Sequence, residues 1–325
     1  MNAVIQALRN NKEWSFFCLK DHIKPYIQGK ESGSKKILLA YMDLLQSLWG
    51  GSGPGYVMPA GFYTELRAVV KDTIYADFGR KQPQDAHEFL VWLLDQMYMA
   101  TQREVNINIK DENMQPMILS ALTGWKTAFE KQWSPLTDLV FGLYRIQYSC
   151  SACNSVYTRW ETFNTLKYSL CMENNEPKYL LDCLKNEFTE ETIDEYACEL
   201  CTKDDAKKRT CAKKKVHIWR LPKLLILTAK RFNPDGSKIY DPVAAVNHVK
   251  FTELFPDDSE EPSKHIQYNL FATVDHFGFG GGGHYTAQAK SFLTNTWAHY
   301  DDNSMTNIDE PNIGRSTYMM FFTCS

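Results

Sequence analysis

The sequence predicts an α+β fold in which helices come first and strands follow. Up to about residue 135, apolar residues recur at the three- and four-residue spacing of amphipathic helices. From about residue 138 the pattern changes to short apolar runs that are typical of strands. Two Cys-x2-Cys pairs lie among these strands, and a run of glycines lies near residue 280. Helices followed by strands, without regular alternation of the two, favour the α+β class.

Composition excludes several classes of protein. The 325 residues are 44% hydrophobic and 13% aromatic, which disfavours a disordered or fibrous chain. Lys and Arg number 36 against 39 Asp and Glu, so no basic excess indicates a nucleic acid or an anionic membrane. No apolar run approaches the ~18 residues that a membrane span needs. We therefore expect neither a nucleic-acid nor a membrane partner, and the oligomeric state stays open.

The cysteine count bears on the cellular compartment. The chain has nine cysteines, an odd number, and its first residues lack the basic and apolar regions of a signal peptide. Both features disfavour a disulfide framework. We expect an intracellular, reducing compartment, either cytoplasm or nucleus.

Three segments have helical periodicity. The first begins at the start of the chain, where Val4, Ile5 and Leu8 share a face, yet nothing precedes it to cap its free amides. The second covers about 36–49, and the Gly- and Pro-rich residues 50–55 end it. The third begins near Pro83, with acidic residues in its first turn. The second helix is expected to bury Leu38, Leu39, Met42, Leu45 and Leu48, and the third Ala86, Phe89, Leu90, Leu93 and Met97.

The strands and one further helix follow in order. One strand is predicted to run into Cys150, and another to leave Cys153. A short amphipathic helix is predicted near 179–187. Later strands are predicted at 215–220, at 224–232 and, as the last, at 317–323.

The two cysteine pairs predict a metal site. Cys150 and Cys153 form one pair, and Cys198 and Cys201 form the other. Each Cys-x2-Cys turn presents two thiolates, and four thiolates suit the tetrahedral coordination of zinc. Four protein ligands leave no open position, so such a zinc would be structural. The alternative is that the four side chains are unligated small hydrophobes.

A second candidate group follows the glycine run. His284 opens the strand after these glycines, and Asp301 ends the next predicted strand. Antiparallel neighbours can place a carboxylate beside an imidazole, which orients the ring and stabilises its cation. A polar cluster around Gln84 and Asp85 marks a helix start, which by itself indicates only a capped helix end. Taken alone, each group has an ordinary structural explanation.

Together, these segments resemble the ubiquitin-specific proteases, which are papain-like cysteine proteases. The resemblance covers nearly the whole chain. Its motifs in chain order are MNAVIQAL, QDAHEFLVWLLD, YSCSAC, YACELC, IWRLPKLLILTAKRF, GGGHYTAQAK and WAHYDD. The resemblance implies one catalytic domain over 1–325, with a helical thumb at 1–135, zinc-tipped β fingers at 136–232 and a β palm at 233–325.

The resemblance also implies roles for individual residues. His284 resembles the general base, Asp301 the residue that orients it, and Asp302 the adjacent acid that shares this work. Gln84 and Asp85 resemble groups that line the channel for the ubiquitin tail, where a carboxylate suits the tail's arginines. The implied partners are ubiquitin and ubiquitinated proteins, and the implied cofactor is a structural zinc at the four cysteines. The loop 276–283 resembles the loop that frames the active site.

One family feature does not occur in these residues. The family's nucleophilic cysteine lies two residues before the methionine that matches Met1, at the start of the first helix, where the helix dipole favours a thiolate. Cys18 lies further along an apolar stretch and is expected to be core. We therefore expect a fragment of a deubiquitinase that hydrolyses the bond at ubiquitin's terminal glycine. The alternative is an inactive protein that only binds ubiquitin.

A function of another class also has some support. The stretch from Lys203 to Lys215 is rich in Lys and Arg, as in a zinc-ribbon protein that binds nucleic acid. Acidic residues at 204 and 205 interrupt it, and the whole chain is slightly acidic. We therefore favour a solvated connection between strands as the interpretation of this stretch.

Overall fold

The structure is a computed structural model of the chain. It describes residues 1–19, 21–27, 31–50, 56–80, 84–110, 114–173, 176–203, 207–245, 247–256, 267–280 and 282–324. The predicted helix stop at 51–55, the predicted helix start at Pro83 and the acidic residues 204 and 205 lie outside the described residues.

Helices and strands segregate along the described chain as predicted, which confirms the α+β class. The helices are α1 (Asn2–Arg9), α2 (Lys12–Leu19), α3 (Gly33–Gly50), α4 (Ala60–Val70), α5 (Ala86–Thr101), α6 (Pro116–Phe129), α7 (Thr137–Val140) and α8 (Leu180–Glu187). The first seven strands are β1 (Gly142–Cys150), β2 (Val156–Phe163), β3 (Leu166–Tyr168), β4 (Met172–Glu173), β5 (Glu176–Pro177), β6 (Glu191–Tyr196) and β7 (Thr210–Arg220). The remaining strands are β8 (Leu224–Ala229), β9 (His248–Lys250), β10 (Gln267–Phe279), β11 (Gly282–Lys290), β12 (Trp297–Asp301), β13 (Ser304–Ile308) and β14 (Thr317–Cys324).

The strands form two main sheets. The smaller has the order β2-β1-β7-β6, and its strands are antiparallel. The larger has the order β13-β12-β11-β10-β14-β8-β3, with β9 paired to β10. Two strands within the range 136–232, β3 and β8, belong to the larger sheet. The chain crosses to the larger sheet after β2 and again after β7.

The larger sheet is buried on both faces. Alternate residues of β14 point to opposite sides, so Met319 and Phe321 pack with the helical layer while Met320 and Phe322 pack with the α8 side. β8, whose sequence is LLILTA, is buried at every position. A continuous apolar run of this kind is typical of a strand covered on both faces.

Helix α5 joins the helical layer to the sheets. Asp85 caps it by accepting a hydrogen bond from the backbone N–H of Glu88, at 2.9 Å. The five apolar residues predicted for its inner face are all buried. In α3, by contrast, Leu39 is 47% exposed although it was predicted to be buried, because α3 turns this side chain towards the groove beside α4.

His87 fixes the first turn of α5 against the link between β2 and β3. Its side chain is buried, and its Nε2 lies 3.3 Å from the hydroxyl of Thr165. Burial lowers the pKa of His87 to about 4, and the positive charge of Lys167 acts in the same direction. The imidazole is therefore neutral in the folded chain at pH 7.

This neutral histidine predicts a pH dependence of stability. An unfolded histidine has a pKa of about 6.5 and takes up a proton below it, whereas folded His87 does not until about pH 4. Its contribution is therefore present above pH 6.5 and is lost as pH falls towards 4. From pH 7 to pH 5, His87 alone should lower the free energy of unfolding by about 2 kcal/mol.

Urea denaturation at pH 7 and pH 5 measures this difference. His87→Gln should show a smaller loss than the parent chain, because glutamine does not titrate. The control is His248→Gln, which removes an exposed histidine from β9. Equal losses in the parent chain and in His87→Gln would contradict the prediction.

Candidate active site and metal centre

Two neighbouring strands bring His284 and Asp301 together. β11 and β12 pair antiparallel, with Ala287 opposite Tyr300. Continuing that register makes His284 and Asp301 diagonal neighbours on one face of the sheet. His284 Nε2 donates a hydrogen bond to Asp301 Oδ1 at 2.5 Å, and the side chains are 46% and 47% exposed. The side-chain nitrogen and oxygen atoms of His284, Asp301 and Asp302 lie within 4.8 Å of one another.

The beginning of α1 lies at this pair. Asn2 Nδ2 donates a hydrogen bond to the backbone carbonyl of Asp302, at 2.9 Å. The carboxylates of Asp302 and Asp85 lie close enough to the start of α1 to interact with it electrostatically. The start of α1 therefore lies at the strand end that carries Asp301 and Asp302.

The site also includes the first turn of α5. Asp85, besides capping α5, accepts a hydrogen bond from the hydroxyl of Tyr318 at 2.8 Å. Gln84 precedes it and is half-buried. The sequence analysis did not identify Tyr318, because the run TYMMFF has the pattern of a core strand. Nothing in that pattern indicates that the Tyr318 hydroxyl bonds to a carboxylate.

A groove of about 470 Å³ runs from this turn between α5 and the ends of β8 and β3. Asp85 and Glu88 contribute negative charge, and Lys167, Lys230 and Arg231 contribute positive charge. The groove is open to solvent, and Glu88 is exposed in it. Its size suits an extended peptide, and its two carboxylates could each pair with a basic side chain.

Cys18 has the wrong environment for a reactive thiol. It is fully buried in α2, and burial raises the pKa of its thiol well above the ordinary value. The nine cysteines are all described and all are free. Four of them form the cluster at the far end of the smaller sheet.

The four predicted metal ligands meet in that cluster. Cys150 and Cys153 lie at the turn from β1 to β2, and Cys198 and Cys201 lie in the turn that follows β6. The Cys150 and Cys201 sulfurs are 3.9 Å apart, and the Cys153 and Cys198 sulfurs are 3.6 Å apart. A regular tetrahedron with metal–sulfur bonds of about 2.3 Å has sulfur–sulfur edges of about 3.8 Å. The four thiols therefore fit a tetrahedral metal ion.

Local hydrogen bonds hold these thiols in place. The Cys150 N–H donates to Ser155 O and its carbonyl accepts from the Asn154 N–H, each at 2.9 Å. The Thr210 hydroxyl lies 3.5 Å from Cys150 Sγ, and this hydrogen bond, together with those from the backbone of Cys153 and Ala152, lowers the pKa of the Cys150 thiol to about 6 against the opposing effect of burial. A thiolate of this kind is the form that binds a metal.

The basic stretch beside the cluster is partly paired with acids. Lys213 lies 2.8 Å from Glu190, and Lys214 lies 3.2 Å from Glu191 across the β6–β7 pairing. These cross-strand pairs give the lysines a role within the smaller sheet.

Among the described helices, none is long and apolar enough to cross a membrane.

Comparisons with known proteins agree with one another. A family model described as "Ubiquitin carboxyl-terminal hydrolase" matches residues 1–322. Ubiquitin carboxyl-terminal hydrolase 2 of Bos taurus is 26% identical over 99% of this chain and 53% of its own length. Ubiquitin carboxyl-terminal hydrolase 3 of Mus musculus is 28% identical over 99% of this chain and 65% of its own length. The chain thus spans about half the length of the first of these relatives.

Solved structures share the fold. The SAGA Ubp8/Sgf11/Sus1/Sgf73 DUB module bound to ubiquitin aldehyde matches with a TM-score of 0.71 and 20% identity, over 100% of this chain and 67% of that chain. The same module bound to monoubiquitin matches with a TM-score of 0.70 and 19% identity, over 100% and 66%. At this identity the likeness concerns the fold.

The metal centre predicts a sharp effect of one substitution. Cys198→Ser removes one of four thiolates, so bound zinc should fall from about one ion per chain to near zero. The smaller sheet should also lose stability, because the ligand-binding energy contributes to its folding. Metal content by mass spectrometry of the purified chain and its melting temperature measure both effects.

Cys211→Ser is the matched control. Cys211 is an exposed thiol on β7 outside the group of four. Cys211→Ser should leave the zinc content unchanged. Full zinc content in Cys198→Ser, or equal loss in both variants, would refute the four-cysteine site.

Proposed function

Since the chain belongs to the ubiquitin carboxyl-terminal hydrolase family, we propose that it is the catalytic domain of a thiol-dependent deubiquitinase. Its substrate is a protein joined to ubiquitin, and the bond hydrolysed is the peptide or isopeptide bond at ubiquitin's terminal glycine. The observation that carries the proposal is the His284–Asp301 hydrogen bond at the beginning of α1.

We propose different tasks for the two nitrogens of His284. Nε2–H donates to Asp301, which leaves Nδ1 as the nitrogen that accepts a proton. A thiol held just before α1 would lie beside this imidazole, and the amides of the helix start would stabilise its thiolate. In the family that the chain resembles, such a cysteine lies two residues before the methionine that matches Met1, and we propose the same arrangement for this protein.

The reaction then proceeds in two stages. His284 Nδ1 takes the thiol proton, and the sulfur attacks the glycine carbonyl carbon to form a C–S bond. The C–N bond breaks, His284 returns the proton to the leaving amine, and a thioester remains. Water, deprotonated by His284, then attacks the thioester carbonyl and releases ubiquitin's carboxylate and the thiol. Asp301 orients the ring and stabilises the imidazolium in both stages, with Asp302 adjacent.

The groove beside α5 is the proposed path of the ubiquitin tail. Its acids, Asp85 and Glu88, suit the arginines of that tail. Asp85 is fixed by its bonds to the Glu88 amide and Tyr318, so it would meet a guanidinium without reorganising. Gln84 lies at the same turn and is proposed to line the channel.

A structural zinc at the four cysteines completes the proposal. The ion would hold the turns after β1 and β6 together and leave no open position for catalysis. We also propose a reducing, intracellular compartment, because all nine cysteines are free thiols.

The alternative function is binding of ubiquitin without turnover. It uses the same groove and differs only in the thiol beside His284. One assay separates the two, because a chain extended by a cysteine two residues before Met1 either cleaves a fluorogenic ubiquitin C-terminal amide or does not.

In that extended chain, His284→Ala should lower kcat/KM by about 10³-fold or more, because general base and general acid are lost together. His248→Ala, which alters an exposed histidine on β9, should cleave as the parent does. A folded, ubiquitin-binding extended chain without activity would rule out the catalytic proposal and leave binding. Full activity in His284→Ala would remove His284 from the mechanism.

The groove makes a prediction that needs no catalysis. Glu88→Gln should weaken ubiquitin binding about tenfold at low salt, because it removes one charge-assisted contact to the tail. Glu65→Gln is the control, since it removes the same charge from α4. Calorimetric titration of ubiquitin into the chain measures both.

Ubiquitin with its tail arginines changed to alanine completes a double-mutant cycle with Glu88→Gln. The parent and Glu88→Gln should bind this ubiquitin equally, because the partner of Glu88 is gone. An unchanged tenfold difference would mean that Glu88 acts on another part of ubiquitin.

A further inference from the structure

The segment after β8 folds back against the loop that leads to His284. Arg231 anchors its base, with its guanidinium fully buried. Its Nη1 donates to the carbonyls of Ile239 at 3.1 Å and Asp241 at 2.8 Å, and its Nη2 donates to Gly314 at 2.9 Å. We name the segment 232–240 the brace. Arg231, which precedes the brace, therefore holds the end of it through these bonds at residues 239 and 241.

The end of β10 lacks a strand partner on one side. The pairing of β10 with β14 ends where Asp275 lies opposite Thr317, yet β10 continues to Phe279. The carbonyls of His276 and Gly278 lie in this extension. His276 is buried, so its carbonyl requires a donor that a strand does not supply, whereas Gly278 is exposed.

The brace supplies these donors. Lys238 Nζ donates to the carbonyl of His276 at 2.7 Å and reaches that of Gly278 at 3.5 Å. The Tyr240 hydroxyl donates to the same Gly278 carbonyl at 3.1 Å. Lys238 also lies over the Tyr240 ring, 5.2 Å from its centroid. Two side chains of the brace thus occupy the place of a neighbouring strand.

The tip of the brace contacts the loop as well. The tip is a closed turn, in which the Gly236 N–H donates to Asn233 O at 2.9 Å. A Cβ added to Gly280 would lie 1.7 Å from the carbonyl oxygen of Gly236, so the two backbones touch there. This close approach explains a glycine at position 280.

The extension of β10 in turn positions His284. Phe277 lies opposite His284, and Gly278 opposite Gly283, in the β10–β11 pairing. Gly278 has φ of +118°, a conformation in which a side chain would be strained. The carbonyls that Lys238 holds therefore belong to the residues on either side of the one that pairs with His284.

We propose that Lys238 is a positioning residue for His284, acting through the brace on the end of β10. The proposal rests on the proposed function for the meaning of His284, and it adds a residue to that site. Lys238 touches no reacting atom. It fixes the backbone from which the imidazole reaches Asp301.

Hydrogen–deuterium exchange of the chain as it stands tests the brace directly. Lys238→Met keeps the length of the side chain and removes its donors. The amides of 276–280 and 282–284 should exchange about fivefold to tenfold faster, while those of β14 should not change. Lys238→Arg should restore much of the protection, because a guanidinium can donate to the same carbonyls.

Lys126→Met is the matched control. Lys126 lies on α6, is 33% exposed and pairs with Glu130. Lys126→Met therefore removes a comparable charge at a place outside the loop. It should leave exchange in the loop unchanged. Unchanged exchange in Lys238→Met overturns the brace, and a rise spread over the whole chain overturns the claim that its effect is local.

Two readouts test the effect on His284. In the cysteine-extended chain, Lys238→Met should lower kcat about fivefold to tenfold with KM changed less than twofold, because Lys238 does not line the tail groove. In the chain as it stands, the imidazole NMR signals of His284 should shift in Lys238→Met and return in Lys238→Arg. Faster exchange with unchanged kcat and unchanged His284 signals would overturn the positioning role.

These arms separate the two proposals. An inactive extended chain counts against the deubiquitinase proposal alone. The exchange and NMR measurements then still decide whether Lys238 positions His284, because neither needs turnover.

Discussion

The antiparallel register of β11 on β12 is the constraint on which the candidate site depends. Ala287 lies opposite Tyr300, and this alignment brings His284 and Asp301 onto one face as diagonal neighbours. A slip of one residue would turn His284 to the opposite face and leave Asp301 alone. On the other side of β11, Gly283 allows close packing on β10, because a Cβ there would lie 2.3 Å from His276 Nε2.

The rest of the fold supplies a fixed frame for this pair. The larger sheet is covered on both faces, by the helical layer and by the α8 side, so its central strands have little freedom to shift. β10 and β11 extend beyond β14 at one end, and the starts of α1 and α5 lie at that end. The exposed site is therefore built at the edge of a densely packed core, where helix N-termini and strand ends meet.

The sequence predicted those parts of the site that repeat a local pattern. Two Cys-x2-Cys turns at strand ends and a histidine after a glycine run carry their spacing in the chain, and the structure brings each group together. It did not predict the contacts of Lys238 or of Tyr318. Lys238 donates to backbone carbonyls 38 residues or more away, and a carbonyl is present at every residue. No residue type or period marks such a partner.

The same limit applies to sheet membership. β3 and β8 each follow a strand of the smaller sheet along the chain, so chain order alone does not reveal that they belong to the larger one. β8 is buried at every position, and a strand of this kind needs cover on both faces. Leu39 shows the reverse case, in which an apolar residue at helical spacing lies at the edge of a groove.

Burial also distinguishes the histidines around the groove. His87 and His276 are buried, and burial lowers the pKa of each to about 4. Lys167 near His87 and Lys238 near His276 strengthen that effect, so both rings stay neutral and serve packing. His284 differs from these two in being half-exposed and in having a carboxylate partner. A ring that contacts both solvent and a carboxylate has the surroundings of a group that exchanges protons, whereas the two buried rings have the surroundings of packing groups.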